Sequence, residues 1–267
     1  MGLTDLAPAP QRYQTIQVRM DAEVCYITLA RPEAGNTISR TLIDDIAHAL
    51  DAHEALAKIV VLEGAPEVFC LGADFQGMHR DSQAGVALRD HAPEPMYDVW
   101  RRLACGPFIS VAHVRGKVNA GGVGFVAACD VVLSEDKAVF SLSEMMFGLT
   151  PACVMPFLVR RIGMAKANYL TLSTQPVMAR QAEQWGLVDA CEENSDVLLR
   201  KHLVRMKRLN KAAIIRHKTY SAELDDSLSR VKPIALRTNI AAFTDPANLD
   251  NIGRFVATGR FPWETSI

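Results

Sequence analysis

The sequence predicts an α/β fold that ends in a helical region, and three observations carry that reading. Strand and helix patterns alternate through the first half of the chain, and two small-residue segments each follow a short apolar strand. From Pro156 onward most of the chain reads as helices.

The elements follow in order. Thr15–Met20 and Val24–Leu29 are rich in β-formers and joined at Asp21–Ala22, which reads as a hairpin. Thr41–Ala52 carries Leu42, Ile43, Ile46, Ala49 and Leu50 at the spacing of one helical face, and Ile59–Leu62 is a short buried strand. Residues 64–76 read as a turn-rich loop, and 77–94 are polar and weakly patterned. Met96–Ala104 is expected to be a helix leading into the strand Phe108–Val114. Gly121–Ala128 then opens a helix, followed by the strand-like runs Val131–Ser134 and Val139–Ser141. The expected division is a main body over residues 1–195 and a helical region over 196–267, with no internal repeat.

Composition excludes several classes of function. At 267 residues, with 49% hydrophobic and 22% charged residues, the chain has the make-up of an ordinary packed globule. Lys plus Arg number 29 against 30 Asp plus Glu, so no whole-chain field draws the protein to nucleic acid or to an anionic membrane. No apolar run reaches the roughly 20 residues of a membrane span, and the opening MGLTDLAPAPQRYQT has neither a basic nor an apolar signal segment. Six scattered cysteines without a C-x-x-C pair read as reduced thiols, which makes the cytoplasm the expected location. No His/Cys/carboxylate cluster at ligand spacing implies a metal. One charge anomaly stands out: residues 200–218 carry eight Lys or Arg and no acid, either a solvated helical face or a dock for phosphates or an acidic carrier protein.

The chemistry centres on the two small-residue segments. In Glu67-Val-Phe-Cys-Leu-Gly-Ala-Asp-Phe75, Gly72 and Ala73 stand where a chain turns sharply and can aim backbone N–H groups into a cleft. In Asn119-Ala-Gly-Gly-Val-Gly124 a helix opens, and its first N–H groups have no intrahelical partner and carry the positive end of the dipole. Two such donors aimed at one oxygen make an oxyanion hole, although either segment taken alone is more often a turn or a close-packing site.

These segments resemble those of the enoyl-CoA hydratase (crotonase) superfamily. VFCLGADF is similar to the family's F-C/A-x-G-A-D-L/I segment, and VNAGGVGFVAACD to its Gly-rich segment ending in Cys-Asp. Arg31-Pro-Glu-Ala-Gly-Asn36 resembles the family's RP-x-x-x-N turn, Ser143-Glu144-Met-Met-Phe-Gly148 its P-E-x-x-x-G segment, and the likeness runs on through Trp185-Gly-Leu-Val188. The resemblance implies a spiral of ββα units with a C-terminal helical trimerisation region, hence a homotrimer. It also implies that the N–H groups of Ala73 and Gly121 hold a thioester oxygen. Leu71, Gly72, Asp74, Phe75, Asn119, Ala120 and Ser143 complete the implied substrate site. Glu144 falls on the family's second glutamate, which moves a proton at the carbon α to the thioester; a capping or exposed Glu is the alternative. The other glutamate of simple hydratases falls at Gly124, so this sequence departs from the pattern. Asp74, Asn119 and Ser143 are candidate helpers, with structural hydrogen bonds as their alternative role.

The runs CYITLARPEAGNTI, SVAHVRGKVNAGG, FGLTPACVMPFL and GRFPWE narrow the resemblance to the dehydratases of polyketide β-branching cassettes. That implies elimination of water from 3-hydroxy-3-methylglutaryl on an acyl carrier protein, giving 3-methylglutaconyl. The substrate is carried on the pantetheine arm of that carrier or of CoA, and no redox cofactor is needed. A cation for the substrate's distal carboxylate is not fixed by the sequence; Lys117, Arg80 and Arg254 are candidates, each equally a surface charge.

Other readings stand beside this one. Gly122-Val-Gly-Phe-Val-Ala127 fits a short dinucleotide fingerprint but leaves the first loop unexplained. Cys70 with His79 or His113 is a possible nucleophile pair, set against a core thiol and a core histidine. A crotonase body without chemistry, a general hydratase and the decarboxylase of the same cassette are the remaining alternatives.

Overall fold

The computed structural model describes residues 13–83 and 92–264. The Pro-containing leader and residues 84–91 of the weakly patterned segment lie outside the described residues.

A six-stranded sheet forms the frame, in the order β1 (Ile16–Asp21), β2 (Val24–Leu29), β3 (Ile59–Glu63), β5 (Ile109–Val114), β7 (Val131–Glu135), β10 (Ala190–Glu192). The hairpin β1–β2 is antiparallel, and every later neighbour is parallel. Strands buried on both faces need continuous apolar sequence, which is why β3 reads Ile-Val-Val-Leu. Val60 and Leu62 enter the main core, while Ile59 and Val61 face the opposite way onto Leu198, Leu199 and Leu203 of helix α7 (Ser195–Met206).

A second, smaller sheet runs in the order β4 (Val68–Cys70), β6 (Lys117–Asn119), β8 (Val139–Ser141), β9 (Val177–Met178). Each turn of the chain therefore gives one strand to the large sheet and one to the small: β3 then β4, β5 then β6, β7 then β8. Strands β4 and β6 are three residues long, too short for any period to show in the sequence.

Helix α1 (Arg40–His53) begins at Ser39, whose hydroxyl accepts from the Leu42 N–H, and buries Leu42, Ile43, Ile46, Ala49 and Leu50, the face expected from their spacing. Helix α3 (Glu94–Cys105) buries Tyr97, Val99, Trp100, Leu103 and Ala104. Helix α4 (Gly121–Ala128) is buried from Gly122 to Ala128, as its wholly apolar composition requires.

The loop expected over 64–76 and the weak pattern of 77–94 are corrected in part by helix α2 (Phe75–Gln83). Asp74 starts it, accepting from the Gly77 N–H at 2.9 Å. Its sparse apolar residues hid it, because its packing partner is a distant helix. After α5 (Met155–Ser173), which breaks at Gly163, and α6 (Ala179–Trp185), the chain continues as α7, α8 (Lys211–Leu224), α9 (Ser227–Thr244) and α10 (Pro246–Thr258). Helix α9 packs on α5 and α3, and α10 returns to lie against α2.

The basic stretch does not form one face. It spans α7, a break at Asn210 that caps α8, and the first half of α8. Lys201 pairs with Glu192 and Lys207 with Asp21, Lys211 donates to the carbonyls of Glu54 and Ala57, and the buried Lys218 pairs with Asp130. Among the described residues, Arg200, Arg205, Arg208 and Arg216 remain exposed with no ionic partner.

Candidate active site

The site is built where β4 and β6 end side by side. Beneath β4, the buried Asn36 holds the Arg31–Asn36 turn against the strand: its amide donates to the carbonyls of Val68 and Phe69 at 3.3 and 3.0 Å and accepts from the Arg31 N–H at 2.7 Å. The loop after β4 is then clamped from the same side. Leu71 N–H donates to Gly35 O at 3.0 Å, Ile38 N–H to Gly72 O at 2.7 Å, and Asp74 N–H to Ile38 O at 3.2 Å. This short parallel bridge leaves the Ala73 N–H, which lies between the two bonded groups, unpaired among the described residues.

Gly72 makes the turn possible. Its φ of +89° belongs to the region that disfavours side chains, and a Cβ there would lie 2.6 Å from the Ala120 Cβ and 3.3 Å from the Gly121 nitrogen. The two small-residue segments are thus in direct contact. Ala120, at φ +51°, turns the chain sharply into α4 after its N–H donates to Ser141 O at 3.0 Å. Gly121 opens the helix, and its N–H has no acceptor among the described residues. Gly122 lets the first turn of α4 rest on the Cys70 carbonyl, which a Cβ would approach to 2.2 Å. Two unpaired N–H groups, one at a helix start, therefore flank the same contact.

Glu144 begins a short 3-10 turn, Glu144–Phe147, just after β8. Asn119 anchors it: its amide donates to the Ser143 hydroxyl at 2.8 Å and its carbonyl accepts from the Ser141 hydroxyl at 2.9 Å. The Glu144 side chain is buried, and its Oε2 has no partner among the described residues. Burial pushes its carboxyl up to about 7, against a smaller downward pull from its own backbone N–H. Such a group changes protonation near neutrality, as proton transfer requires.

The remaining candidates have definite places. Asp74 caps α2, and Asn119 and Ser143 are held in the bonds just described, so all three have structural roles here. Leu71 sits on Gly35 and is 37% exposed. Phe75 meets Phe147, their ring centroids 5.3 Å apart at 80°. Lys117 and Arg80 are exposed, and Arg254 donates to Asn251. Cys70 is fully buried, its thiol pushed up to about 12 by burial, which leaves no thiolate to act as a nucleophile. His113 is also fully buried, with Nδ1 3.1 Å from Glu63 Oε2 and Nε2 2.8 Å from Ser195 Oγ: a satisfied core histidine. No group of three or more His, Cys, Asp or Glu among the described residues can hold a metal ion, and no helix among them is long and apolar enough to cross a membrane.

One residue of consequence escapes the sequence reading. Trp100 of α3 fills the space beside Gly124, where a Cβ would lie 2.5, 2.6 and 2.8 Å from three carbons of its six-membered ring. A carboxylate side chain at 124 has no room while the indole is there. Its Nε1 is buried without a partner, an arrangement that costs about 1–3 kcal/mol. The available signal was the pair Gly121 and Gly124, one helical turn apart, which marks a face that a bulky neighbour approaches closely.

The two interleaved sheets, the paired loops after β4 and β6 and the carboxyl after β8 define a crotonase fold, and the family profile of enoyl-CoA hydratase/isomerase matches residues 19–266. The chain belongs to that family. It is 53% identical over 253 residues to the bacillaene synthase dehydratase PksH of Bacillus subtilis strain 168, covering 94% of this chain and 97% of that protein. The crystal structure of the polyketide biosynthesis enoyl-CoA hydratase PksH from the same species superposes with a TM-score of 0.90 at 51% identity, covering 94% and 100% of the two chains. An enoyl-CoA hydratase/isomerase from Xanthobacter autotrophicus Py2, 24% identical, shares the fold with a TM-score of 0.83 over 93% of this chain and 95% of that one. The dinucleotide-binding alternative is thereby corrected: Gly122–Ala127 belong to a buried helix of a crotonase core.

Proposed function

We propose that this enzyme, a lyase of the dehydratase type, removes water from 3-hydroxy-3-methylglutaryl held as a thioester on an acyl carrier protein, giving 3-methylglutaconyl. The observation that carries the reading is that Glu144 is the one buried carboxyl among the described residues, with a glycine backed by an indole where a second one would stand. The relation to a bacillaene synthase dehydratase supports polyketide chemistry.

In this reading the N–H groups of Ala73 and Gly121 donate to the thioester oxygen and stabilise the negative charge that grows there as the α C–H bond breaks. Glu144, ionised, takes the α proton. The enolate then re-forms the carbonyl, the α,β double bond forms, and the C–O bond at the tertiary carbon breaks as Glu144 returns the proton to the departing hydroxyl. One proton is taken and returned, and one water leaves, so a single carboxyl suffices. A pantetheine thioester needs no further cofactor for this step.

The carrier protein and a homotrimer are the expected partners. The exposed, unpaired arginines at 200, 205, 208 and 216 are the candidate contacts for an acidic carrier. Exposed apolar side chains on α5, α8 and α9, among them Leu172, Leu224 and Ile234, supply surface for association between copies.

The test is to incubate the protein with 3-hydroxy-3-methylglutaryl on the carrier and on CoA and to follow each by mass spectrometry. Loss of one water from the carrier-bound substrate, faster than from the CoA thioester, is expected. No mass change with either would overturn the reading, and loss of carbon dioxide when 3-methylglutaconyl is supplied on the carrier instead would assign the decarboxylase step.

A further inference from the structure

We propose that Trp100 is a positioning residue of the oxyanion hole: its ring holds the first turn of α4, and with it the Gly121 N–H, at the point where that group meets the thioester oxygen. The inference rests on the reading of Ala73 and Gly121 given above.

Gly121 and Gly124 are one helical turn apart and share a face of α4. That face lies on Trp100. The ring's Cη2 is 2.5 Å from a Cβ built at 124 and 3.9 Å from one built at 121, so the indole lies along the glycine face where α4 begins. From another direction, a Cβ at 121 would lie 2.7 Å from Ile38 Cδ1, and Ile38 is the residue whose backbone brackets Ala73. The start of α4 is thus held between the clamp of one N–H donor and the indole.

The indole is itself held. Phe125 of α4 and Phe157 of α5 meet it edge to face, each with ring centroids 5.7 Å apart, at 79° and 83°. Trp100 has no exposed surface and its N–H makes no hydrogen bond, so what this position supplies is the bulk and rigidity of the ring. A smaller side chain opens a gap behind Gly121 and lets α4 settle toward α3, moving the N–H off its target. Glu144 stands on a different element, the turn after β8, anchored through Asn119 and Ser143. Trp100 therefore acts on carbonyl polarisation, which the carbonyl stretch reads directly and the ionisation of Glu144 does not.

The experiment uses 3-hydroxy-3-methylglutaryl-CoA carrying carbon-13 at the thioester carbonyl, bound to the full-length Glu144→Gln protein so that the substrate stays intact. Infrared difference spectra read the carbonyl stretch. A shift to lower frequency is expected on binding, reduced when Trp100→Phe is added and mostly lost with Trp100→Leu. In the Glu144 background, turnover should fall about 100-fold for Trp100→Leu, the scale of a one-ångström misplacement. KM should stay within about threefold and the ionisation near 7 in the pH profile should be unmoved. Gly124→Ala should slow turnover alone, and Trp100→Phe should partly rescue it. A carbonyl shift and turnover retained in folded Trp100→Phe and Trp100→Leu variants would overturn the role of Trp100. An unshifted carbonyl with Trp100 intact would overturn the oxyanion reading itself, and this proposal with it.

Discussion

Phe75 and Phe147 meet edge to face with ring centroids 5.3 Å apart, and that contact joins the helix that follows Ala73 to the turn that begins with Glu144. Phe147 also meets Phe255 of α10 at 5.1 Å and Phe261 at 5.8 Å, and it is only 4% exposed. Asn248 reinforces the seam, lying so close to Gly148 that a Cβ there would reach its Oδ1 at 2.1 Å. The last helix is thus packed onto the site, with Phe147 at the centre of the seam.

Phe147→Ala should therefore cost stability and activity together. Emptying a buried phenylalanine site destabilises by about 3–5 kcal/mol, read as a shift of the urea midpoint. Turnover should fall more than tenfold at a temperature where the variant is still folded, because the Glu144 turn and α2 lose their common contact. Phe255→Leu, which keeps most of the volume, should retain most of both.

Glu144→Gln should slow dehydration by at least about 100-fold, since the amide neither takes nor returns a proton. In the wild type, kcat/KM should rise with pH through an ionisation near 7, as the base form appears. The same burial has a signed effect on stability. The folded carboxyl titrates at about 7 and the unfolded one at about 4.5, so the folded state binds the extra proton between those values and loses stability as pH rises through them. The loss is roughly 3 kcal/mol across that whole interval. Glu144→Gln should abolish that slope, leaving a variant as stable as the parent at pH 4 and more stable at pH 8 in chemical denaturation.

Gly72→Ala tests the contact between the two loops. A methyl group there meets the Ala120 Cβ at 2.6 Å on a backbone with φ +89°, so the loops must part. Turnover should drop by about 100- to 1,000-fold, the range seen when one oxyanion donor is lost, while fluorescence-detected binding of a CoA thioester weakens far less. Equal losses in binding and turnover would point to a blocked pocket instead.

Cys70→Ala should leave turnover within about threefold of the parent and cost roughly 1 kcal/mol through a small cavity. The thiol is enclosed and held up to about 12, so iodoacetamide should not label it in the folded protein at pH 8. Labelling matched by loss of activity would return this cysteine to the chemistry.

What the sequence disclosed followed range. The face of α1 was legible because its five buried residues recur within one helix, and β3 because a doubly covered strand must be apolar throughout. The segments at Gly72 and Gly121 announced themselves as small residues in tandem after apolar strands. The second sheet did not, since strands of three residues carry no period. Helix α2 was hidden because what it packs against, α10, lies far along the chain. Trp100 was invisible for the same reason: its importance arises from the crossing of α3 and α4, and only the glycine spacing on α4 hinted at a visitor. The basic stretch divides in a way adjacency does not disclose: its four lysines bind four separate parts of the body, while its four arginines stay exposed.

The alternation of strands between two sheets also sets an order in time. Ala73 belongs to one turn of the spiral, Gly121 to the next and Glu144 to the one after. As the chain leaves the ribosome, the first donor is made long before the second, and the carboxyl later still. Neither loop can take its final shape until the strands beneath both have paired, and the seam at Phe147 must wait for the last helix. Competence to react should therefore appear as the final event of folding, after most of the secondary structure has formed, and a nascent chain lacking its C-terminal helix should be compact yet inert.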